Sequence, residues 1–493
     1  MSDMITRQDI VRGLKQIGVR EGDILMVHTA LSSLGRVEGG ADAVIDALIE
    51  AVGPSGTIAM PTLYPPSISE DEIFDVDESP SMMGEVTEVF RKRPGVARSA
   101  HPTHPTAAYG AKAQDLIRDH AKTPTACGAG TPFERLAQWG GKVLLIGVDQ
   151  DRNTLLHTAE DYADCPFLTD LTARYRDPAD GEAKTITLAR FPGPHRNFIG
   201  LDPLFREAGV MTTGKIGKAV CRLMDAAKTV AIATDALTKN PAAVLCDNPE
   251  CADCVRQHGA IQRSILDKED FTSAVRIDEA PDLMALAKEL WGYGIKDVEI
   301  GLRWLNLILH EGIDQSAKAI TEAGLGVTSI DVTEIKSPAK AISFAEKIGC
   351  KTLVTTATNS AQLRNLIDAA SASGMMLLVR NCKGTQVDTS ASASSLQGSG
   401  AHLAFDPAEF AAMREMPFLN IYYHGIPKSL VRQLYIKDGT FDGRPAEPGM
   451  GNGEVRELIS ILRCRSFDGP MVIWPGDSIS ASCEAFWKLM KSL

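Results

Sequence analysis

The apolar and polar positions of this chain follow two alternating periods. The runs Asp23–Val27, Thr57–Met60 and Lys142–Val148 are short and almost wholly apolar, which predicts strands buried on both faces. Between them, Gln8–Ile17 and Ala41–Val52 place apolar residues three or four apart, which predicts amphipathic helices; the second stops at Gly53–Pro54. Strands alternating with helices predict an α/β architecture. Around Asp267–Asp270 the sequence turns charged and loses its pattern, so the domain boundary is placed there, between residues 1–265 and 271–493. Beyond it come eight strand-like runs: Ser273–Ile277, Asp297–Ile300, Val327–Ile330, Thr352–Thr355, Met375–Val379, His402–Phe405, Gln433–Ile436 and Met471–Trp474. Helical stretches separate them, and this count fits a compact (β/α)8 TIM barrel. The Ser- and Ala-rich stretch Ser390–Ser399 reads as loop or a weak helix start.

Composition adds limits. A chain of 493 residues with 44% apolar and 23% charged residues is an ordinary globular protein with room for two domains. Its net charge of −12 opposes a nucleic-acid partner and mildly steers cationic ligands. The first residues hold no apolar segment fit for a signal peptide, and no run of about 18 apolar residues occurs, so no membrane span and a cytoplasmic location are expected. The ten cysteines then read as thiols or metal ligands.

Five motifs stand in order in the first half. They are VHTALSSLG (Val27–Gly35), GTIAMPTL (Gly56–Leu63), FDVDESPSMMGEVTEVFRKRPGVARSAHPTHPTAAYGAKA (Phe74–Ala113), TPFERLAQWGGKVLLIGV (Thr131–Val148) and NTLLHTAED (Asn153–Asp161). Together they resemble the aminoglycoside 3-N-acetyltransferase family over roughly residues 5–260. The resemblance implies an α/β/α sandwich and transfer of acetyl from acetyl-CoA to an amine of an aminoglycoside, amino sugar or related small molecule.

That chemistry needs a group to take the amine's proton and donors for the developing oxyanion. Histidine suits the first task because its charge changes near neutral pH, and the resemblance places the family's catalytic histidine at His157. Glu160, one helical turn on, is positioned to orient the ring and stabilise its cation. The segment HTALSSLG follows a strand and should open a helix, where Thr29, Ser32 and Ser33 would present hydroxyls and backbone amides to CoA. His101 reads either as a pocket residue that positions groups beside the cofactor or as a satisfied turn histidine before proline. The family's segment there resembles HPxxS, but this chain has Pro105 in the fifth place, preceded by an extra His104; proline donates no hydrogen bond. Arg91, Lys92, Arg93 and Arg98 form a basic stretch that could meet CoA phosphates, against the commoner solvated face. Residues 70–78 hold six acids, read as a solvated loop or an attractor of polycationic acceptors.

Cys246, Cys251 and Cys254 follow a C-x4-C-x2-C spacing. This is a plausible structural zinc corner, with Cys221 or His258 as the fourth ligand. The second half resembles the xylose-isomerase-like sugar phosphate isomerase family, whose members hold a divalent metal at the strand ends. Glu299 and Asp406 match that pattern, but Arg380, Tyr435 and Trp474 stand where metal-binding side chains are usual, and an arginine there repels a cation. The barrel is therefore read as non-catalytic: a binder of an anionic sugar or phosphate through Arg380 and Lys437, a scaffold for a homo-oligomer, or a lid. The alternative function is an isomerase or epimerase acting through the barrel.

Overall fold

A computed structural model describes residues 4–64, 72–193, 195–335, 337–356 and 359–493. Glu70 and Asp71 of the acidic loop lie outside these residues. Among those described, no helix is long and apolar enough to cross a membrane. The chain divides into two compact units, Met1–Gln257 and His258–Leu493.

The first unit is built on the strands β1 (Ile24–Thr29), β2 (Thr57–Pro61), β3 (Ala97–Arg98), β4 (Thr106–Gly110) and β5 (Lys142–Ile146), the hairpin β6 (Thr169–Arg176) and β7 (Ala183–Phe191), and β8 (Met211–Ile216) and β9 (Ala219–Asp225). Seven of these make one sheet in the order β8-β9-β5-β1-β2-β4-β3. β1 runs parallel to β2 and β5 at its centre, and the outer pairs are antiparallel. The parallel strands are covered on both faces, which is why their sequences are continuous apolar runs.

The helices are α1 (Arg7–Ile17), the single turn α2 (Leu31–Leu34), α3 (Gly40–Val52), α4 (Glu85–Arg91), α5 (Pro132–Gln138), α6 (Leu156–Tyr162), α7 (Ala226–Lys239) and α8 (Ala252–Leu266). α1, α3 and α4 pack together on one side, while α5 and α6 pack on α7. This is the expected α/β/α sandwich. Thr6 starts α1 through a capping box with Asp9, and Gly18, at φ +108°, ends it. Ile10, Leu14 and Ile17 then fall on the face buried against α3 and the sheet.

In the second unit, eight parallel strands close into a barrel in chain order. They are β10 (Thr272–Ile277), β11 (Asp297–Ile300), β12 (Gly326–Asp331), β13 (Thr352–Thr355), β14 (Met376–Arg380), β15 (Ala401–Phe405), β16 (Val431–Ile436) and β17 (Pro470–Ile473), with β17 pairing back to β10. Every predicted strand is present within two residues at either end. Ser390–Ser394 is a short helix capped by Thr389.

Candidate active site

α6 presents the central group. Leu155, Leu156 and Ala159 bury one side of the helix, and the Thr158 hydroxyl donates to the Cys127 carbonyl at 2.7 Å, fixing its height. The opposite turn carries His157 and Glu160. His157 Nδ1 lies 2.7 Å from Glu160 Oε2, so in the neutral ring the Nδ1 proton goes to the carboxylate and Nε2 is the nitrogen with the lone pair. The His157 side chain is 16% exposed while that of Glu160 is fully buried, so the free nitrogen is the reachable end. Phe198 packs edge-on against the ring at 5.1 Å.

Arg196 completes the group. Its Nε donates to Glu160 Oε1, its Nη1 to Gln257 Oε1 at 2.7 Å and to the His195 carbonyl at 2.6 Å, and its Nη2 to the Pro192 carbonyl. The guanidinium also lies over Phe167, 4.5 Å from the ring centroid. A buried carboxylate is costly unless it is paired; here it is held between imidazole and guanidinium. No local motif pointed to Arg196, which stands 36 residues from Glu160 in a Pro- and Gly-rich stretch.

A histidine cluster lies behind His157. The His104 ring stands edge-on to it at 6.0 Å, and His101 stacks on His120 at 4.3 Å. This corrects the expectation for His101, which is completely buried, accepts the His104 amide at 3.1 Å and offers no face to a cofactor. The neighbour of His157 is the extra histidine at 104. Burial holds His28, His101, His104 and His120 neutral, with His28 and His120 pushed down to about 3; facing imidazoles lower His101 and His104 further. In the unfolded chain each returns to about 6.5, so below that pH the unfolded state binds more protons. Stability is therefore full above about pH 6.5 and falls as pH drops toward about 3. Urea midpoints of the whole protein should decline stepwise between pH 7 and pH 5; a flat profile would contradict this account.

The proposed CoA loop forms only in part. β1 leads into α2 as expected, and Gly147 lets the turn sit close, since a Cβ there would lie 1.6 Å from Ser33 Oγ. However, the Ser33 hydroxyl and amide both donate to the Ala30 carbonyl, at 2.6 and 3.1 Å. This withdraws Ser33 from a cofactor, because its donors are already engaged. Thr29 Oγ1 is buried without a partner, and Ser32 is exposed.

The basic stretch is also engaged. Arg91 and Lys92 pair with Glu88, Arg93 pairs with Asp42 and Asp46, and Arg98 donates to the carbonyls of Thr62, Val76 and Ser79. Replacing Lys92 and Arg93 with alanine should leave the KM for acetyl-CoA within about twofold, since exposed pairs of this kind contribute little. Steady-state kinetics checks this; a rise of tenfold or more would restore a cofactor role.

Cys246, Cys251 and Cys254 do converge, and His195 joins them: the four ligand atoms lie within 4.8 Å of one another. Neither Cys221 nor His258 is the fourth member. Cys221 is buried in β9, its thiol donating to the Ala219 carbonyl, and His258 is not part of the group.

In the barrel, Glu299 is fully buried and accepts from Arg276, Tyr435, Gln433 and Ser329. Arg276 also reaches Asp331 at 2.8 Å, and these carboxylates outweigh its burial and hold it charged. Asp406 accepts from Lys437 at 3.1 Å. Trp474 lies under Arg276, Arg380 and Lys437. Arg276 was not singled out from the sequence, yet it occupies the point where the carboxylates meet.

The profile of the family described as aminoglycoside 3-N-acetyltransferase matches residues 26–238. Aminoglycoside N(3)-acetyltransferase IV of a Salmonella species is 32% identical over 237 residues, spanning 48% of this chain and 88% of that protein. A prophage-derived aminoglycoside N(3')-acetyltransferase-like protein of Bacillus subtilis is 30% identical, spanning 46% of this chain and 89% of its own. The crystal structure of aminoglycoside acetyltransferase AAC(3)-IVa, as apoenzyme, aligns at TM-score 0.46 and 31% identity over 51% of this chain and 95% of that one. Through its first half, the chain belongs to the aminoglycoside 3-N-acetyltransferase family.

Proposed function

We propose that the first unit transfers acetyl from acetyl-CoA to an amine of an aminoglycoside, amino sugar or related small molecule, by direct attack with His157 as general base. The observation that carries this reading is the chain of contacts His157–Glu160–Arg196, which leaves one imidazole nitrogen free at the edge of the site. His157 Nε2 takes a proton from the acceptor ammonium, and the neutral amine attacks the thioester carbonyl. As the tetrahedral intermediate collapses, the C–S bond breaks, the imidazolium returns its proton to the CoA thiolate, and the second proton of the attacking nitrogen is released to solvent. Glu160 stabilises the imidazolium, as an orienting carboxylate does in hydrolase triads. His104, kept neutral by burial, places no competing positive charge beside it. No acyl-enzyme is needed.

In this reading the barrel is non-catalytic. Arg276 fills the place among Glu299 and Asp331 that a divalent cation would need.

The test is thiol release from acetyl-CoA by the full chain across a panel of amines, with products weighed by mass spectrometry. The expected result is an acceptor gaining one acetyl group in step with thiol release. Absence of amine-dependent release across aminoglycosides, amino sugars and simple amines would overturn the reading.

A further inference from the structure

We propose that His195, Cys246, Cys251 and Cys254 bind one zinc ion, and that this ion positions the catalytic histidine through Arg196. The rate half of the proposal rests on the acetyltransferase reading; the metal half does not.

Three separate pieces of chain supply the ligands. His195 follows the hairpin strand β7, Cys246 follows the turn Pro241–Val244, and Cys251 and Cys254 stand at the start of α8. His195 Nδ1 lies 3.2 Å from Cys254 Sγ and 3.7 Å from Cys251 Sγ. Zinc bonds of about 2.3 Å to sulfur and about 2.0 Å to nitrogen give tetrahedral edges of about 3.5–3.8 Å. The group thus has the size of a single tetrahedral ion, too tight for a polynuclear cluster. Three thiolates and one imidazole select zinc over the harder cations. Two backbone bonds brace the ligand segments. The Cys246 amide donates to Cys254 sulfur at 3.3 Å, the usual support for a thiolate ligand. The Asn197 amide donates to the Val244 carbonyl at 2.8 Å, tying the His195 segment to the Cys246 segment.

The consequence lies one residue on. Arg196 directly follows His195, and its Nη1 donates to the His195 carbonyl at 2.6 Å. The same nitrogen reaches Gln257, on the helix that begins beside Cys251 and Cys254. Fixing His195 and the start of α8 to one ion therefore fixes two of the groups that aim Arg196. Arg196 in turn clamps Glu160, and Glu160 orients His157. Arg196 is a positioning residue here; the zinc touches neither substrate nor reacting atoms.

The full-length protein, purified without chelator, is assayed for metal by elemental mass spectrometry, alone and after anaerobic reconstitution with zinc or cobalt(II). The expected content is about one zinc per chain, and cobalt(II) should give the visible bands of a tetrahedral thiolate site. Cys251→Ser/Cys254→Ser should bind at least about tenfold less metal. Its kcat should fall roughly 10- to 100-fold while the KM for acetyl-CoA stays nearly unchanged, and amide exchange should quicken at His195–Asn197 and in α6. His195→Cys supplies a fourth thiolate, so it should keep about one metal per chain. A wild-type protein that takes up neither metal, or yields a Cys251–Cys254 disulfide instead, overturns the site. A double variant that loses metal yet keeps kcat and exchange rates overturns the coupling. An inert wild type that still binds one zinc counts against the acetyltransferase reading and leaves the metal site standing, with the exchange measurement deciding the coupling.

Discussion

His157→Ala should lower kcat by about 10²–10⁴, the range over which a positioned general base contributes, and should leave the KM for acetyl-CoA nearly unchanged. The ring lies at the end of a buried support, with Nδ1 already bonded to Glu160 and one face against Phe198. Its removal takes away the proton acceptor and little else, because α6 is held by Leu155, Leu156, Ala159 and the Thr158–Cys127 bond. Steady-state thiol release reads the change. Wild-type kcat in this variant would remove His157 from the chemistry. An equal rise in KM for both substrates would make it a binding residue.

Arg196→Met should lower stability by about 3–5 kcal/mol, the usual cost of removing one member of a buried ion pair. Both partners are almost inaccessible, with the Arg196 side chain 3% exposed and that of Glu160 fully buried. The methionine fills the volume over Phe167 but leaves the buried Glu160 carboxylate without its guanidinium partner. It also leaves Gln257 Oε1 and the Pro192 carbonyl without their donor. Denaturant unfolding at pH 7.5 should show the loss, and kcat should fall with it because Glu160 no longer has a fixed orientation. A midpoint like that of the wild type would mean that Glu160 does not need the guanidinium.

Much of the fold was legible because the hydrophobic pattern follows burial. The parallel strands β1, β2 and β5 and all eight barrel strands lie between layers, so their apolar runs are nearly unbroken. The hairpin β6–β7 was not legible, because only four of its residues are buried and charged and polar side chains interrupt the pattern. The pairing of His157 with Glu160 could be read from helical spacing alone. Arg196, His104 and His195 could not, since each meets its partners only through tertiary packing. In the same way, the ion pairs of Arg93 with Asp42 and Asp46 depend on α3 and α4 packing side by side, which a charge run does not reveal. The choice of Cys221 as fourth ligand failed for a geometric reason: β9 carries it into the sheet core, away from the start of α8. The cysteine spacing located three members of the cluster, and His195 was hidden among proline and glycine.

The central claim is that the His157 imidazole removes the proton from an amine while acetyl-CoA is bound. The most direct test is single-turnover acetyl transfer from prebound acetyl-CoA in His157→Ala, with cofactor binding measured in parallel by calorimetry. The account predicts cofactor affinity within about twofold of the wild type and transfer slowed by about 10²-fold or more. Transfer at the wild-type rate from the bound cofactor would contradict it.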